Sequence, residues 1–155
     1  IGCRTYSIWS HGLRPDDGMS APEEARGYMR RVMEHVLELR DDVSKKQQQD
    51  LLDQAIEYIN THYHEESISL DKVAKEVNVS PNYFSAIFSQ EVGMTFIEYL
   101  TNKRIERAKY LLRHSDMRSG EIAFSVGYRD PHYFSFVFKK VTGITPSEFR
   151  KGAGQ

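Results

Sequence analysis

Shifted by 50 residues, the chain meets itself. Residues 81–99 read PNYFSAIFSQEVGMTFIEY and residues 131–149 read PHYFSFVFKKVTGITPSEF. Eight of these nineteen positions are identical: Pro81/Pro131, Tyr83/Tyr133, Phe84/Phe134, Ser85/Ser135, Phe88/Phe138, Gly93/Gly143, Thr95/Thr145 and Glu98/Glu148. Upstream the register slips by one, pairing Ala74 with Ala123 and Val77 with Val126. A chain with this duplication is expected to build one small unit twice. Each copy reads as a short helix, a tight turn (Asn78-Val79-Ser80; Gly127-Tyr128-Arg129) and a second helix. Ser80 and Asp130 stand as caps before a first-turn proline, and Gly93 and Gly143 stand as stops. That is helix-turn-helix anatomy. A solenoid would need more than two units, and a plain bundle needs no repeat.

The remaining punctuation points the same way. Leu52, Ala55, Ile56, Ile59 and Tyr63 share one helical face. Ser69 caps a short helix carrying Leu70, Val73, Ala74 and Val77, and Ser119 opens another carrying Ile122, Ala123 and Val126. Thr95 and Glu98 have capping-box spacing. They open a helix from Phe96 to about Arg113, roughly 27 Å long at 1.5 Å per residue. Such a rod holds two second helices near the spacing of successive major-groove segments, about 34 Å on one face of B-DNA. Thr145-Pro146-Ser147-Glu148 starts a last short helix. From residue 50 onward no period-2 stretch is long enough for a strand. The expected fold is all-α: two helix-turn-helix units over 50–152 joined by a long linker helix, about seven helices, preceded by an amphipathic helix.

That preceding helix is expected to begin near Pro22, with Ser20 and Glu23 as its capping box. Ala25, Met29, Val32, Val36, Leu39 and Val43 then step by four and three, a heptad seam that Met33 and Leu37 widen. Two readings stand for residues 21–49: a helix packed on its own upstream domain, or a dimer-forming helix with 22–43 as the contact. The polar run Ser44-Lys45-Lys46-Gln47-Gln48-Gln49 reads as a linker. Residues 1–20 are turn-rich and read as the remnant of an upstream domain, with Tyr6, Ile8 and Trp9 as its last strand.

Charge decides little until it is located. The net charge is −1, which taken as an average argues against a nucleic-acid binder. Residues 51–98 carry a net −6, however, and residues 99–155 a net +6. The second unit is therefore the expected polyanion-facing part. A single cysteine, Cys3, excludes an intrachain disulfide framework, and no apolar run approaches the roughly 18 residues of a membrane span.

The segment IAFSVGYRDPHYFSFVFKKVTGITPSEFR (122–150) resembles the signature of the AraC/XylS transcription regulators. LDKVAKEVNVSPNYFSAIF and YLTNKRIERAKYLL match the rest of that domain over about 100 residues in all. The resemblance implies a bacterial, cytoplasmic, sequence-specific binder of double-stranded promoter DNA that meets RNA polymerase and is regulated by a sensory or receiver domain. It implies no cofactor, no metal and no membrane partner. Helices 81–91 and 131–141 would be the recognition helices. Their expected base-reading residues are Asn82, Ser85, Ala86 and Ser89 in the first unit and His132, Ser135, Phe136 in the second. Many family members carry a long polar or basic side chain where Ala86 and Phe136 stand. The expected phosphate contacts are Ser80, Gln90, Arg129, Lys139, Lys140, Thr145 and Ser147, helped by the helix starts after Ser80, Thr95, Asp130 and Thr145.

Other chemistry is weakly supported. Phe84, Phe88, Phe134 and Phe138 recur at a spacing of four and read as core rather than base-stacking groups. Arg104 falls on the inner side of the linker helix, as partner of a carboxylate or a helix end, and Arg107 on its solvated side. His62 and His64 diverge on a helix and suit no metal. Cys3 and His11 have no orienting partner for nucleophilic catalysis. The chain is expected to be a non-enzyme. The competing reading is a helical interaction module without direct DNA readout.

Overall fold

The structure, a computed structural model, describes residues 22–152. The stretch with Tyr6, Ile8 and Trp9, together with Cys3, His11 and Ser20, lies outside them. The described residues form seven helices: α1 (Pro22–His62), α2 (Leu70–Glu76), α3 (Pro81–Val92), α4 (Phe96–His114), α5 (Ser119–Ser125), α6 (Pro131–Thr142) and α7 (Pro146–Gly152). The chain divides into two compact units between Gln47 and Gln48.

The polar run 44–49, expected as a linker, is itself helical and spans the division between the two units, so the amphipathic helix and the one expected from about residue 50 are a single α1. Lys and Gln are good helix formers, and neither Gly nor Pro interrupts the run. Gln49 Nε2 also donates to Asp53 Oδ1, one turn on, at 2.9 Å. Along residues 22–47 the seam residues Met29, Met33, Val36, Leu37, Leu39 and Val43 are exposed and Val32 is half-buried.

Residues 48–152 hold two cores, one for each helix-turn-helix unit. In the first core, the end of α1 (Leu52, Ala55, Ile59), α2 (Val73, Ala74), α3 (Phe84, Ile87, Phe88) and the start of α4 (Phe96, Leu100) bury one cluster. In the second, the rest of α4 (Ile105, Ala108, Leu112), α5 (Ile122, Ala123) and α6 (Phe134, Val137, Phe138) bury another. The alanines lie where helices approach closely. The duplication extends to aromatic geometry. Phe84–Phe88 and Phe134–Phe138 centroids are 5.3 and 5.7 Å apart. Phe88–Tyr99 and Phe138–Phe149 meet edge-on at 5.5 and 5.6 Å. As expected from their spacing, all four phenylalanines are completely buried.

The caps are also paired. Ser80 Oγ accepts from Tyr83 N, and Asp130 Oδ1 from His132 N. Gly93 and Gly143 close α3 and α6 at φ 75° and 84°. Thr95 and Thr145 each form a full capping box, their backbone N–H donating to Glu98 at 2.8 Å and Glu148 at 2.7 Å. That backbone bond, followed by the threonine hydroxyl, holds both carboxylates below the ordinary glutamate value. A depressed folded pKa contributes stability above the unfolded value, and this is lost as pH falls through the folded one. Urea midpoints taken from about pH 6 down to about pH 3 should therefore fall less steeply for Glu98→Gln/Glu148→Gln than for the native chain. Parallel curves would contradict the assignment.

Two arginines tie each helix-turn-helix unit to the loop before it. Arg104, on α4, donates from Nε to the Tyr63 carbonyl at 2.8 Å and from Nη2 to that of Glu65 at 2.9 Å. Arg150, on α7, donates from Nε to the Leu112 carbonyl at 3.3 Å and from Nη2 to that of Met117. The inward position expected for Arg104 is thus met, and its hydrogen-bond partners are loop carbonyls just past the end of α1 rather than a carboxylate. Burial of this guanidinium lowers its pKa from the usual arginine value.

Candidate nucleic-acid interface

Helices α3 and α6 each turn one apolar stripe inward and leave a mixed face in solvent. On α3 the outward residues are Asn82, Ser85, Ala86 and Gln90, with Ser89 half-buried. On α6 they are His132, Phe136, Lys139 and Lys140, with Ser135 half-buried. All but two of the expected base-reading residues therefore stand in solvent. The Ser135 hydroxyl donates to the Pro131 carbonyl at 2.8 Å, which leaves its oxygen as an acceptor. An exposed asparagine suits the paired donor and acceptor on an adenine edge, and an exposed methyl or ring suits a thymine methyl.

The expected phosphate contacts differ in how free they are. Lys139 and Lys140 are exposed on the last turn of α6. Ser147 is exposed at the start of α7. The Ser80 hydroxyl caps α3 through Tyr83 N, and the Thr145 hydroxyl donates to Glu148 at 2.7 Å, so part of the capacity of both is committed. Gln90 donates to Glu91 at 3.1 Å. Arg129 is 82% exposed, yet its Nε pairs with the Glu66 carboxylate.

Two residues outside the expected contact set also stand on this surface. Tyr83 and Tyr133 are 45% and 58% exposed, although they occupy one repeat position and neighbour the buried phenylalanines. Identity at a position that is not core was the available signal. Tyr133 stacks on Phe136 with ring centroids 6.5 Å apart and planes 27° apart. Together they wall an open cleft with Met94, Ile97 and Asn102. Among the described residues no group of three or more His, Cys, Asp or Glu could hold a metal ion, and no helix is long and apolar enough to cross a membrane.

The family model described as a helix-turn-helix domain matches residues 73–152. The chain is 38% identical over 99 residues to the arabinose operon regulatory protein of Escherichia coli, covering 64% of this chain and 34% of that protein. The chain belongs to the AraC/XylS family. Residues 73–152 are thus a helix-turn-helix DNA-binding domain of the AraC type. Solved AraC-type domains share its fold. The C-terminal domain of AraT, a response regulator from Geobacillus stearothermophilus, is 40% identical with a TM-score of 0.65, over 66% of this chain and 84% of that one. The DNA-binding domain of AdpA, solved with a target DNA, is 25% identical with a TM-score of 0.62, over 65% and 90%. The chain spans about a third of the length of the arabinose regulator, 34%.

Proposed function

We propose that this AraC-type chain reads promoter DNA with α3 and α6 in successive major-groove segments. The observation that carries the reading is the paired exposure: the outward slots 82/132, 86/136 and 90/140 of two duplicated helices are in solvent, while the inward slots are sealed in two separate cores. Asn82, Ser85, Ala86, Ser89, His132, Ser135 and Phe136 read bases. Ser80, Gln90, Arg129, Lys139, Lys140, Thr145 and Ser147 hold phosphates, with Tyr83 and Tyr133 beside them. Lys139 and Lys140 carry most of the electrostatic attraction, because the first unit's recognition helix has Glu91 as its only formal charge. The site of action is the bacterial cytoplasm, and RNA polymerase is the further partner that family membership implies.

Base readers and phosphate holders are separable by experiment. His132→Ala and Ser135→Ala should change which duplexes are recovered from a random pool while leaving affinity for unrelated DNA within about twofold. Equal losses on both kinds of DNA would count against base readout.

The exposed seam of Met29, Met33, Val36, Leu37, Leu39 and Val43 supports a second copy of the chain as partner, since heptads of this kind bury their seam by pairing. Val36→Glu with Leu39→Glu should convert a dimer into a monomer in sedimentation. A native chain that sediments as a monomer would overturn this reading and favour packing on an upstream domain.

A further inference from the structure

The turns of the two helix-turn-helix units differ in one residue in a telling way. Asn78 occupies the left-handed region in the first turn, φ 57°, and Gly127 the same place in the second, φ 94°. Asparagine tolerates that backbone, so the turn alone does not demand glycine. What separates the two is their surroundings. Asn78 is exposed and Gly127 is buried. A Cβ on Gly127 would stand 2.8 Å from Arg104 Nη2 and 2.9 Å from the carbonyl oxygens of Tyr63 and of His64. Two of those atoms are backbone and cannot swing aside.

The carbonyls belong to the segment between α1 and α2, just before the first helix-turn-helix unit, and Arg104 lies on the helix shared by both units. The two residues after Gly127 reach the same place. The Tyr128 ring centroid lies 5.2 Å from the Arg104 guanidinium carbon, and Arg129 pairs with Glu66. Three consecutive residues of the second turn therefore meet the loop before the first unit, around a guanidinium held by two carbonyls. Guanidinium is planar with donors in a fixed fork, so its bonds set orientation as well as distance.

We propose that this junction of Arg104, Gly127 and the Tyr63–Glu66 segment is a positioning device. It locks the distance and angle between α3 and α6, and so sets the spacing between DNA half-sites that the protein accepts. Arg104 and Gly127 touch no DNA and act through the helices they hold. The inference rests on the reading that both recognition helices enter DNA together. Inserting one base pair between half-sites moves one of them by about 3.4 Å and turns it by about 34°. A locked junction cannot follow that displacement, whereas a loosened one can.

The test uses the full 155-residue chain and duplexes recovered from a random pool. Each duplex is also made with one base pair inserted or removed between the half-sites, and with one half-site scrambled. The native chain should lose about tenfold or more in affinity on the respaced duplexes. Gly127→Asn retains a residue that tolerates the turn but adds a side chain at the junction. Arg104→Gln removes the fork. Both should bind the original duplex more weakly and lose less than about threefold on respacing, with binding to the single half-site duplex unchanged. Asn78→Gly, which leaves the junction intact, should keep the native spacing ratio.

Folded Arg104→Gln, verified by circular dichroism, that retains the native ratio would overturn the proposal even if Gly127→Asn does not fold. A native chain indifferent to spacing would instead overturn the two-helix reading beneath it, so the two failures are distinguishable.

Discussion

Replacing Phe138 by alanine should cost about 3–5 kcal/mol, the usual range for a large aromatic removed from a core that cannot collapse. Phe138 is completely buried. It meets Phe134 at 5.7 Å and Phe149 at 5.6 Å, joining α6 to α7. Domains are stable by only about 5–15 kcal/mol, so this single change removes a large share of the total. Because the two cores are separate clusters, the damage should fall first on the second unit. Urea unfolding followed by helical circular dichroism should show an early transition absent from the native chain. Hydrogen exchange should place that transition in α5 to α7, with α2 and α3 still protected. Phe88→Ala should invert the pattern. Uniform loss of protection across both units in either variant would show that the cores are not separate.

The second large effect is electrostatic. Lys139→Ala with Lys140→Ala removes two of the six net positive charges of residues 99–155. Each phosphate contact on B-DNA contributes about 0.9 to the slope of log K against log salt. If both lysines hold phosphates, the slope should fall by up to about 2, and affinity for every duplex should drop together. Sequence preference should stay as it is. An unchanged slope would remove both lysines from the interface. A loss confined to the preferred duplex would make them base readers instead.

Much of this molecule was legible before any coordinates, because its signals are local. The spacing of four between Phe84 and Phe88, and again between Phe134 and Phe138, needs only helical geometry to become a core. Thr95 with Glu98, and Thr145 with Glu148, are close enough for their caps to follow from residue type. The polar run 44–49 reads as a linker from its loss of apolar residues, and its helical form follows from Lys and Gln being good helix formers with no Gly or Pro among them. Gly127 read as a helix stop, which it is. Its second task depends on Tyr63 and His64, far away in sequence, and no local pattern reports them. Glu66 and Arg129 are equally distant, so their pairing was invisible while Arg129 alone was visible as a cation at a helix start. Tyr83 and Tyr133 lie beside buried phenylalanines, and residue type alone does not tell an exposed ring from a buried one.

The charge balance also takes on a meaning. The net −6 of residues 51–98 and the net +6 of residues 99–155 cancel, leaving the −1 of residues 1–50, so attraction to DNA should be asymmetric along the site. The measurement that bears most directly on the central claim is a titration of the full chain against a duplex recovered from a random pool and against a scrambled duplex of equal length, at several salt concentrations. Sequence-specific reading by α3 and α6 predicts binding to the recovered duplex tighter by about 10³-fold or more, with log K falling linearly as log salt rises. Equal affinity for the two duplexes, or affinity indifferent to salt, would contradict it.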